Sequence, residues 1–154
     1  MFSTLIRTLN DPAMTIARLT LGIVFFVHGA QKVLGWFGGQ GLAATYHGFT
    51  QFMHIPAVFA VLAIAAEFLG GLGLIVGFLT RIAAFGILCE MLVAVFKFHL
   101  PNGFFMNWTG QQKGEGFEYH LLAIALAAVI MIRGAGAVSI DRALSGPEYR
   151  TRRY

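Results

Sequence analysis

The residues of this 154-residue chain that could perform chemistry lie inside stretches that are otherwise apolar. His28 and Lys32 stand one helical turn apart in VFFVHGAQKVLGWF, and Glu67 and Glu90 each interrupt a later apolar run. Charged groups inside membrane helices cost about 2.5–3.5 kcal/mol each at mid-span, face the bundle interior and mark functional sites by default. Imidazole and ammonium groups donate hydrogen bonds, and carboxyl groups exchange protons. We therefore predict that these four residues are the catalytic group.

The composition indicates a membrane protein. Apolar residues make up 57% of the chain and charged residues 12%, whereas soluble domains carry about 25% charged residues. The net charge is +4, but the basic residues are not gathered into one surface, so we expect no nucleic-acid partner. Cys89 is the single cysteine of the chain, which excludes an internal disulfide and a cluster site built from cysteines.

Four apolar stretches predict four membrane-spanning helices, at about residues 12–37, 56–79, 81–100 and 117–133. Each approaches the ~20 residues that cross a ~30 Å hydrocarbon core. Asp11 and Pro12 suit the N-cap and the first helical position, and Pro101 and Gly134 suit the ends of the third and fourth spans. We predict an all-α fold, an integral membrane four-helix bundle in which residues 1–154 form one domain with a basic cytoplasmic tail at 134–154.

The distribution of arginines predicts the orientation of the bundle. Arg7 precedes the first span, Arg81 opens the third, and the loop from residue 38 to residue 55 has no Lys or Arg. Four further arginines lie in the tail: Arg142, Arg150, Arg152 and Arg153. The positive-inside rule then places both termini in the cytoplasm and both long loops outside. We expect a multi-pass protein of a bacterial-type cytoplasmic (inner) membrane, in contact with membrane lipids.

The two long loops carry segments that suit the membrane interface. Leu42, Tyr46, Phe49 and Met53 recur at helical spacing, and PNGFFMNW adds aromatic rings after the third span. Amphipathic helices lie in the interface, where aromatic side chains are enriched. We therefore predict interfacial segments in both outer loops.

The rise of a helix gives the depth of each ionisable residue. His28, Glu67 and Glu90 lie ~13, ~16 and ~15 Å below the outer ends of their spans, at ~1.5 Å per residue. Three helices thus bring one ionisable group each to nearly the same level, close to the bilayer centre. Lys32 and Lys97 lie one or two turns higher, within reach of the carboxylates. This arrangement indicates an internal polar network, which either fixes the helices in register or performs chemistry.

Ionisable residues above and below that level are the predicted cofactor-binding group: Arg18, Lys97, Glu118 and His120. Glu118 stands near a helix N-terminus, which favours a carboxylate. His99 and His120 share the outer level and could bind haem or a metal together. Two histidines without further ligands favour interfacial hydrogen bonding instead, so we predict no metal site.

The chain resembles the DoxX family of small four-helix membrane proteins in RLTLGIVFFVHGAQKVLGWFG, AEFLGGLGLIVGFLTRIAA, NGFF, FEYHLLAIALA and GAGAVSID. Two positions depart from the family pattern. Ala135 stands where a Gly-Pro-Gly turn has proline, and His120 replaces a proline that often follows Glu-Tyr. The resemblance implies functional roles for the matching residues: Arg18, His28, Lys32, Glu67, Arg81 and Glu118. Glu90 and Lys97 rest on the depth estimate alone.

The resemblance also implies a place in membrane redox complexes, because relatives are linked to quinone-reducing sulfur oxidation and to quinol oxidase assemblies. We predict a subunit of a quinone-linked membrane oxidoreductase that binds quinone or quinol. In it, His28 and Lys32 donate hydrogen bonds while Glu67 and Glu90 carry protons. Electrons would come from other redox-complex subunits or a bound cofactor, and self-association is a further expected contact. Two alternatives stay open. The first is a non-catalytic scaffold or assembly subunit. The second is a small-solute transporter, although the sequence shows no inverted repeat or broken helix.

Overall fold

The computed structural model describes residues 2–145 and is helical throughout its regular structure. Three helices are long and apolar enough to cross a membrane: the first (Pro12–Leu34), the second (Ala57–Val76) and the third (Thr80–Asn102). The fourth helix, Glu118–Arg133, has 16 residues and is therefore ~24 Å long. No strand occurs within residues 2–145. The predicted all-α class is confirmed.

The first helix begins where the sequence predicts and ends earlier. The Asp11 carboxylate accepts hydrogen bonds from the N–H groups of Ala13 and Met14 at 3.0 and 3.3 Å, with Pro12 at the first helical position. The helix stops at Leu34 rather than near residue 37, because Gly35 adopts a left-handed conformation with φ +71°. Glycine takes this conformation without steric cost, which makes it a common helix terminator.

The connections between the helices gather at two ends of the bundle. The loop end carries residues 35–56 and 103–117. The terminal end carries residues 2–11, which include the short helix Phe2–Ile6, and residues 77–79 and 134–145. At the loop end, the helix Gly41–His47 continues into the π-helical turn Gly48–Phe52. The helix predicted there from the spacing of apolar residues is confirmed, and its position at the membrane interface stays a prediction.

The first part of the predicted basic tail packs against the terminal end. Ala135 is fully buried, and Asp141 in the short helix Ile140–Leu144 donates its N–H to the carbonyl oxygen of Gly77 at 2.8 Å. Residues 134–145 are therefore part of the folded bundle. The tail arginines Arg150, Arg152 and Arg153 lie outside the described residues.

Glycines let the first two long helices approach until their backbones touch. A Cβ atom on Gly29 would lie 2.5 Å from the Cα of Phe68, and one on Gly71 would lie 2.5 Å from the N atom of Phe26. The rings of Phe26 and Phe68 stack beside this contact, with centres 5.5 Å apart. Small residues at such crossings are typical of helix packing in membranes. The close crossing sets the distance between the polar side chains that flank it.

The apolar core fills the half of the bundle nearer the terminal end. All four long helices contribute buried side chains to it: Met14, Leu21, Phe25, Leu74, Ala84, Ile87, Met91, Ala123, Ala127 and Ile130. Large apolar side chains also cover the outside of the helices, including Phe59, Phe85 and Leu122. In a helix that spans a bilayer these outward groups contact lipid.

Candidate functional site

An ion pair joins the first and second helices on the loop-end side of the core. Lys32 Nζ lies 2.5 Å from Glu67 Oε2, with 23% and 8% of the two side chains exposed. Lys32 comes from the last turn of its helix, and Glu67 stands next to Phe68, which contacts Gly29. The glycine crossing therefore positions the ammonium group against the carboxylate.

Glu90 of the third helix completes a three-residue group, here called the polar cluster (Lys32, Glu67 and Glu90). Its carboxyl group lies within electrostatic range of the Glu67 carboxyl group and of the Lys32 ammonium group. Two carboxyl groups and one ammonium group thus meet inside apolar helices. One proton between the two carboxyl groups would make the cluster neutral, and a neutral group avoids most of the cost of burying charge.

The backbone around Glu67 is irregular at this point. Residues Ala66–Gly70 form a π-helical turn between two α-helical segments of the second helix. Such turns widen the helix and leave backbone groups outside the regular ladder, and they occur frequently at functional sites. Glu90 Oε2 is buried and has no hydrogen-bond partner among the described residues. The cluster thus combines a distorted turn with an unfilled acceptor.

His28 lies apart from the polar cluster. Its side chain is exposed on the surface of the first helix, one turn before Lys32. No described hydrogen bond or ion pair connects it with Glu67 or Glu90. Of the four predicted catalytic residues, the structure brings three together and leaves His28 on the outside, where lipid or a ligand has access.

Lys97 also lies apart from the polar cluster. Its exposed ammonium group donates to the carbonyl oxygen of His54 at 3.4 Å and lies 5.6 Å from the centre of the Phe98 ring. Within residues 2–145, neither contact involves Glu67 or Glu90. Lys97 instead ties the third helix to the loop before the second helix, and its cofactor-binding role stays a prediction.

Two histidines and a tyrosine lie between the polar cluster and the loop end. The ring centres of His99 and His120 are 4.0 Å apart, and His99 Nδ1 lies 2.9 Å from the carbonyl oxygen of Glu115. Tyr119 lies within electrostatic range of both carboxyl groups of the cluster, with its ring centre 5.4 Å from that of His120. Tyr119 was not predicted from the sequence, because an aromatic residue near a helix end resembles an interface anchor. Its place between Glu118 and His120 was the available signal.

Glu118 fastens the second long loop. Its Oε1 atom accepts hydrogen bonds from the N–H of Met106 at 2.9 Å and from Nε1 of Trp108 at 3.2 Å. Glu115 acts in the same way, accepting from the N–H of Asn107 at 2.7 Å. Both carboxylates hold the loop 103–117 over the start of the fourth helix. The predicted cofactor-binding role of Glu118 stays a prediction.

Arg18 lies at the opposite end of the core from the polar cluster. Its guanidinium is 1% exposed and donates only to backbone carbonyl oxygens in its described hydrogen bonds. These acceptors belong to Ala135 at 2.8 Å, Ile75 at 2.8 Å, Val138 at 2.6 Å and Leu74. The arginine thereby joins three chain segments, and its predicted role in binding a cofactor stays untested.

No group of three or more His, Cys, Asp or Glu side chains in the described part of the chain could hold a metal ion. His99 and His120 are a pair without a third ligand.

Comparison with known proteins identifies the family. The sequence pattern of the DoxX family matches residues 13–100, which include all three residues of the polar cluster. The chain is also 30% identical over 139 residues to the inner membrane protein YqjF of Escherichia coli (strain K12), a match that covers 90% of this chain and 97% of that relative. No solved structure matches the chain significantly. The chain belongs to the DoxX family of membrane proteins.

Proposed function

We propose that this DoxX-family protein is a membrane subunit of a quinone-linked oxidoreductase and binds quinone or quinol beside the polar cluster. The polar cluster is the main observation that supports this proposal. Lys32, Glu67 and Glu90 form a partly unsatisfied group inside apolar helices, and intramembrane ionisable groups mark functional sites by default. The proposed ligand is one that enters from lipid and exchanges protons.

The contacts of the cluster suit a quinone head group. The ammonium group of Lys32 has three N–H donors, and its ion pair with Glu67 leaves the others for a quinone oxygen. The side chain is 23% exposed, so a ligand has access to it. His28 is exposed one turn away on the same helix and offers a donor for the second oxygen. Glu90, with its unfilled carboxyl oxygen, is the proposed proton carrier.

The electron carrier belongs to another subunit in this proposal. A chain with a single cysteine cannot bind an iron–sulfur cluster through four cysteine ligands. The protein would therefore supply the quinone site and the proton exchange, while a redox partner supplies electrons.

Purification tests the proposal directly. The wild-type protein, extracted in a mild detergent from a host that makes quinones, should carry bound quinone that solvent extraction recovers. Lys32→Gln should weaken the binding of a short-chain benzoquinone by about ten- to a hundredfold, because it removes a charged donor worth roughly 1.5–3 kcal/mol. Lys113→Gln is the matched control, since it removes an exposed lysine of the second long loop, outside the cluster. Equal weakening in both variants, or a wild-type protein that neither carries nor binds quinone, would contradict the proposal.

The same ion pair supports a second candidate, a scaffold subunit whose polar cluster only joins helices. A buried ion pair can often be replaced by apolar residues of similar size without loss of stability. The double variant Lys32→Met/Glu67→Met therefore separates the two functions. If the cluster is a quinone site, the double variant should fold and lose quinone binding. If the cluster only joins helices, the double variant should fold and retain its partner subunits and every activity of the complex.

We also propose that all four helices cross the membrane with both termini in the cytoplasm. The support is the charge distribution, because Arg7, Arg81, Arg133 and Arg142 all lie at the terminal end, and positive charge favours the cytoplasmic side. Cysteine labelling in a Cys89→Ala background tests it. A membrane-impermeant maleimide should label Thr109→Cys on intact cells and should label Ser3→Cys only after the membrane is opened. The reverse pattern would invert the topology.

A further inference from the structure

A line of ionisable side chains connects the polar cluster with the loop end. Tyr119, in the first turn of the fourth helix, lies within electrostatic range of both carboxyl groups of the cluster. Its ring centre lies 5.4 Å from that of His120, which lies 4.0 Å from that of His99. His99 Nδ1 contacts the Glu115 carbonyl oxygen in the exposed loop. Polar atoms of neighbouring side chains that do not touch can be linked by one bridging water.

His120 has the features of a proton carrier. Its side chain is 6% exposed, and its Nδ1 atom is buried without a hydrogen-bond partner among the described residues. An unsatisfied buried polar atom costs about 1–3 kcal/mol, so a native structure that retains one needs an explanation. An imidazole ring that passes a proton accepts on one nitrogen and releases from the other. A second nitrogen left free of permanent partners suits that task.

We infer that Tyr119, His120 and His99 carry protons between the carboxyl pair of the polar cluster and the water at the loop end. The inference rests on the proposed function, since it takes the cluster as the place where a bound quinone or quinol exchanges protons. It assigns a role to Tyr119 and His99 and gives His120 a role in proton transfer. None of the three needs to touch the quinone.

Each transfer moves one proton and no electron. A proton held by the carboxyl pair passes through bridging water to the Tyr119 oxygen, while the Tyr119 hydroxyl proton passes to a ring nitrogen of His120. His120 then releases the proton on its other nitrogen to His99, and His99 releases one to water. The carboxyl pair keeps one additional negative charge beside Lys32, and the water gains one proton.

The groups around Tyr119, His120 and His99 favour proton transfer toward the loop end. The groups that face the carboxyl pair are Lys32 and Tyr119, and those that face the His120 ring are Tyr119 and His99. On the other side of the cluster lies the apolar core, with at most 3% exposure for the following residues: Leu21, Leu74, Ile87, Ala127 and Ile130. Apolar side chains offer a proton neither donor nor acceptor. Exchange with water therefore runs toward the loop end.

Hydrogen–deuterium exchange of the carboxylic acid tests the relay. In wild-type protein reconstituted in liposomes, the C=O stretch of the shared carboxylic acid is followed by infrared spectroscopy after a change to D₂O, and Glu90→Gln identifies the band. His120→Phe should slow the exchange roughly a hundredfold, the typical contribution of a positioned proton-transfer group. Added imidazole should restore part of the rate. His47→Phe, which alters an exposed loop-end histidine outside the line, should leave the rate unchanged.

Quinone binding is measured on the same samples, so that the proton relay and the proposed quinone site are tested independently. Unchanged exchange in His120→Phe that still binds benzoquinone would overturn the relay and leave the quinone site standing. Slowed exchange in a protein that binds no quinone would support the relay and remove the proposed function. If His120→Phe does not fold, Tyr119→Phe keeps the ring and removes only the hydroxyl group. A wild-type rate in Tyr119→Phe would then overturn the relay.

Discussion

The terminal end and the polar cluster bury charge in opposite ways. At the terminal end, Arg18 is almost completely enclosed, and its guanidinium donates to four backbone carbonyl oxygens. Asp141 is also buried and accepts from the N–H groups of Leu79 and Thr80 at 2.8 and 2.9 Å. In the polar cluster, by contrast, Glu90 retains a buried carboxyl oxygen without a partner in the described residues.

This difference distinguishes charged groups that stabilise the fold from charged groups that remain available to a ligand. A charged group whose hydrogen-bonding capacity is filled by fixed backbone groups holds chain segments together and has little left for a ligand. A cluster with an unfilled acceptor keeps hydrogen-bonding capacity that a ligand or a proton can use. The terminal end should therefore govern folding, and the polar cluster should govern function.

Arg18→Met should have the largest effect on stability. It leaves several buried carbonyl oxygens without donors, and we expect a loss of about 3–5 kcal/mol, as for a broken buried charge network. The measurement is unfolding in mixed detergent micelles, with benzoquinone binding measured on the fraction that remains folded. That fraction should bind quinone like the wild type. Near wild-type stability would show that the arginine network does not hold the terminal end.

Substitutions in the carboxyl pair should separate folding from proton exchange. Glu67→Gln removes the partner of Lys32, and because Lys32 is partly exposed we expect a loss of about 2–3 kcal/mol, below the usual range for a buried pair. Glu90→Gln keeps the shape of the group that shares the proton and should change stability by less than about 1 kcal/mol. Both should lower quinone-linked proton exchange in liposomes. The comparison fails if Glu90→Gln unfolds the protein as strongly as Glu67→Gln.

Gly29→Ala should have a modest effect on stability and should still disturb the polar cluster. Its Cβ would meet the backbone of Phe68 at 2.5 Å, so the first two helices must separate, at a cost of about 1–2 kcal/mol after the gain in helix propensity. The separation lengthens the contact between Lys32 and Glu67 and should weaken benzoquinone binding.

Gly48→Ala is the control for this change, because a Cβ on Gly48 meets nothing within 4 Å and its φ of −57° is helical. Thermal unfolding and quinone titration of both variants make the measurement. If the two glycine variants bind quinone equally well, the helix crossing does not position the cluster.

Local sequence signals were sufficient for most of the helices. Asp11 with Pro12 marked the start of the first helix because capping depends on adjacent residues alone, and the apolar runs marked the three helices that are long enough to span. The early end at Gly35 was missed because Gly38 and Gly39 were equally good terminators by sequence. Which glycine takes the left-handed conformation depends on how the following loop folds.

The level that Glu67 and Glu90 share along their helices was predictable from the sequence, but the direction in which each side chain points was not. Counting helix rise placed His28, Glu67 and Glu90 at one level, yet it could not tell which way each side chain faces. The exposure of His28 depends on the crossing at Gly29, a tertiary contact that one helix alone does not specify. Lys97 was expected near the carboxylates and contacts His54 instead, since its helix changes to a π-helical turn at Val95–His99.

Photo-crosslinking tests the central claim most directly. A short-chain benzoquinone with a photoreactive group is bound to the wild-type protein in lipid nanodiscs, and the labelled peptides are identified by mass spectrometry. We predict labels around His28, Lys32 and Glu67 and none around Arg18. An excess of unlabelled quinone should prevent this labelling. Labelling that excess quinone does not prevent, or that appears only at the terminal end, would contradict a quinone site at the polar cluster.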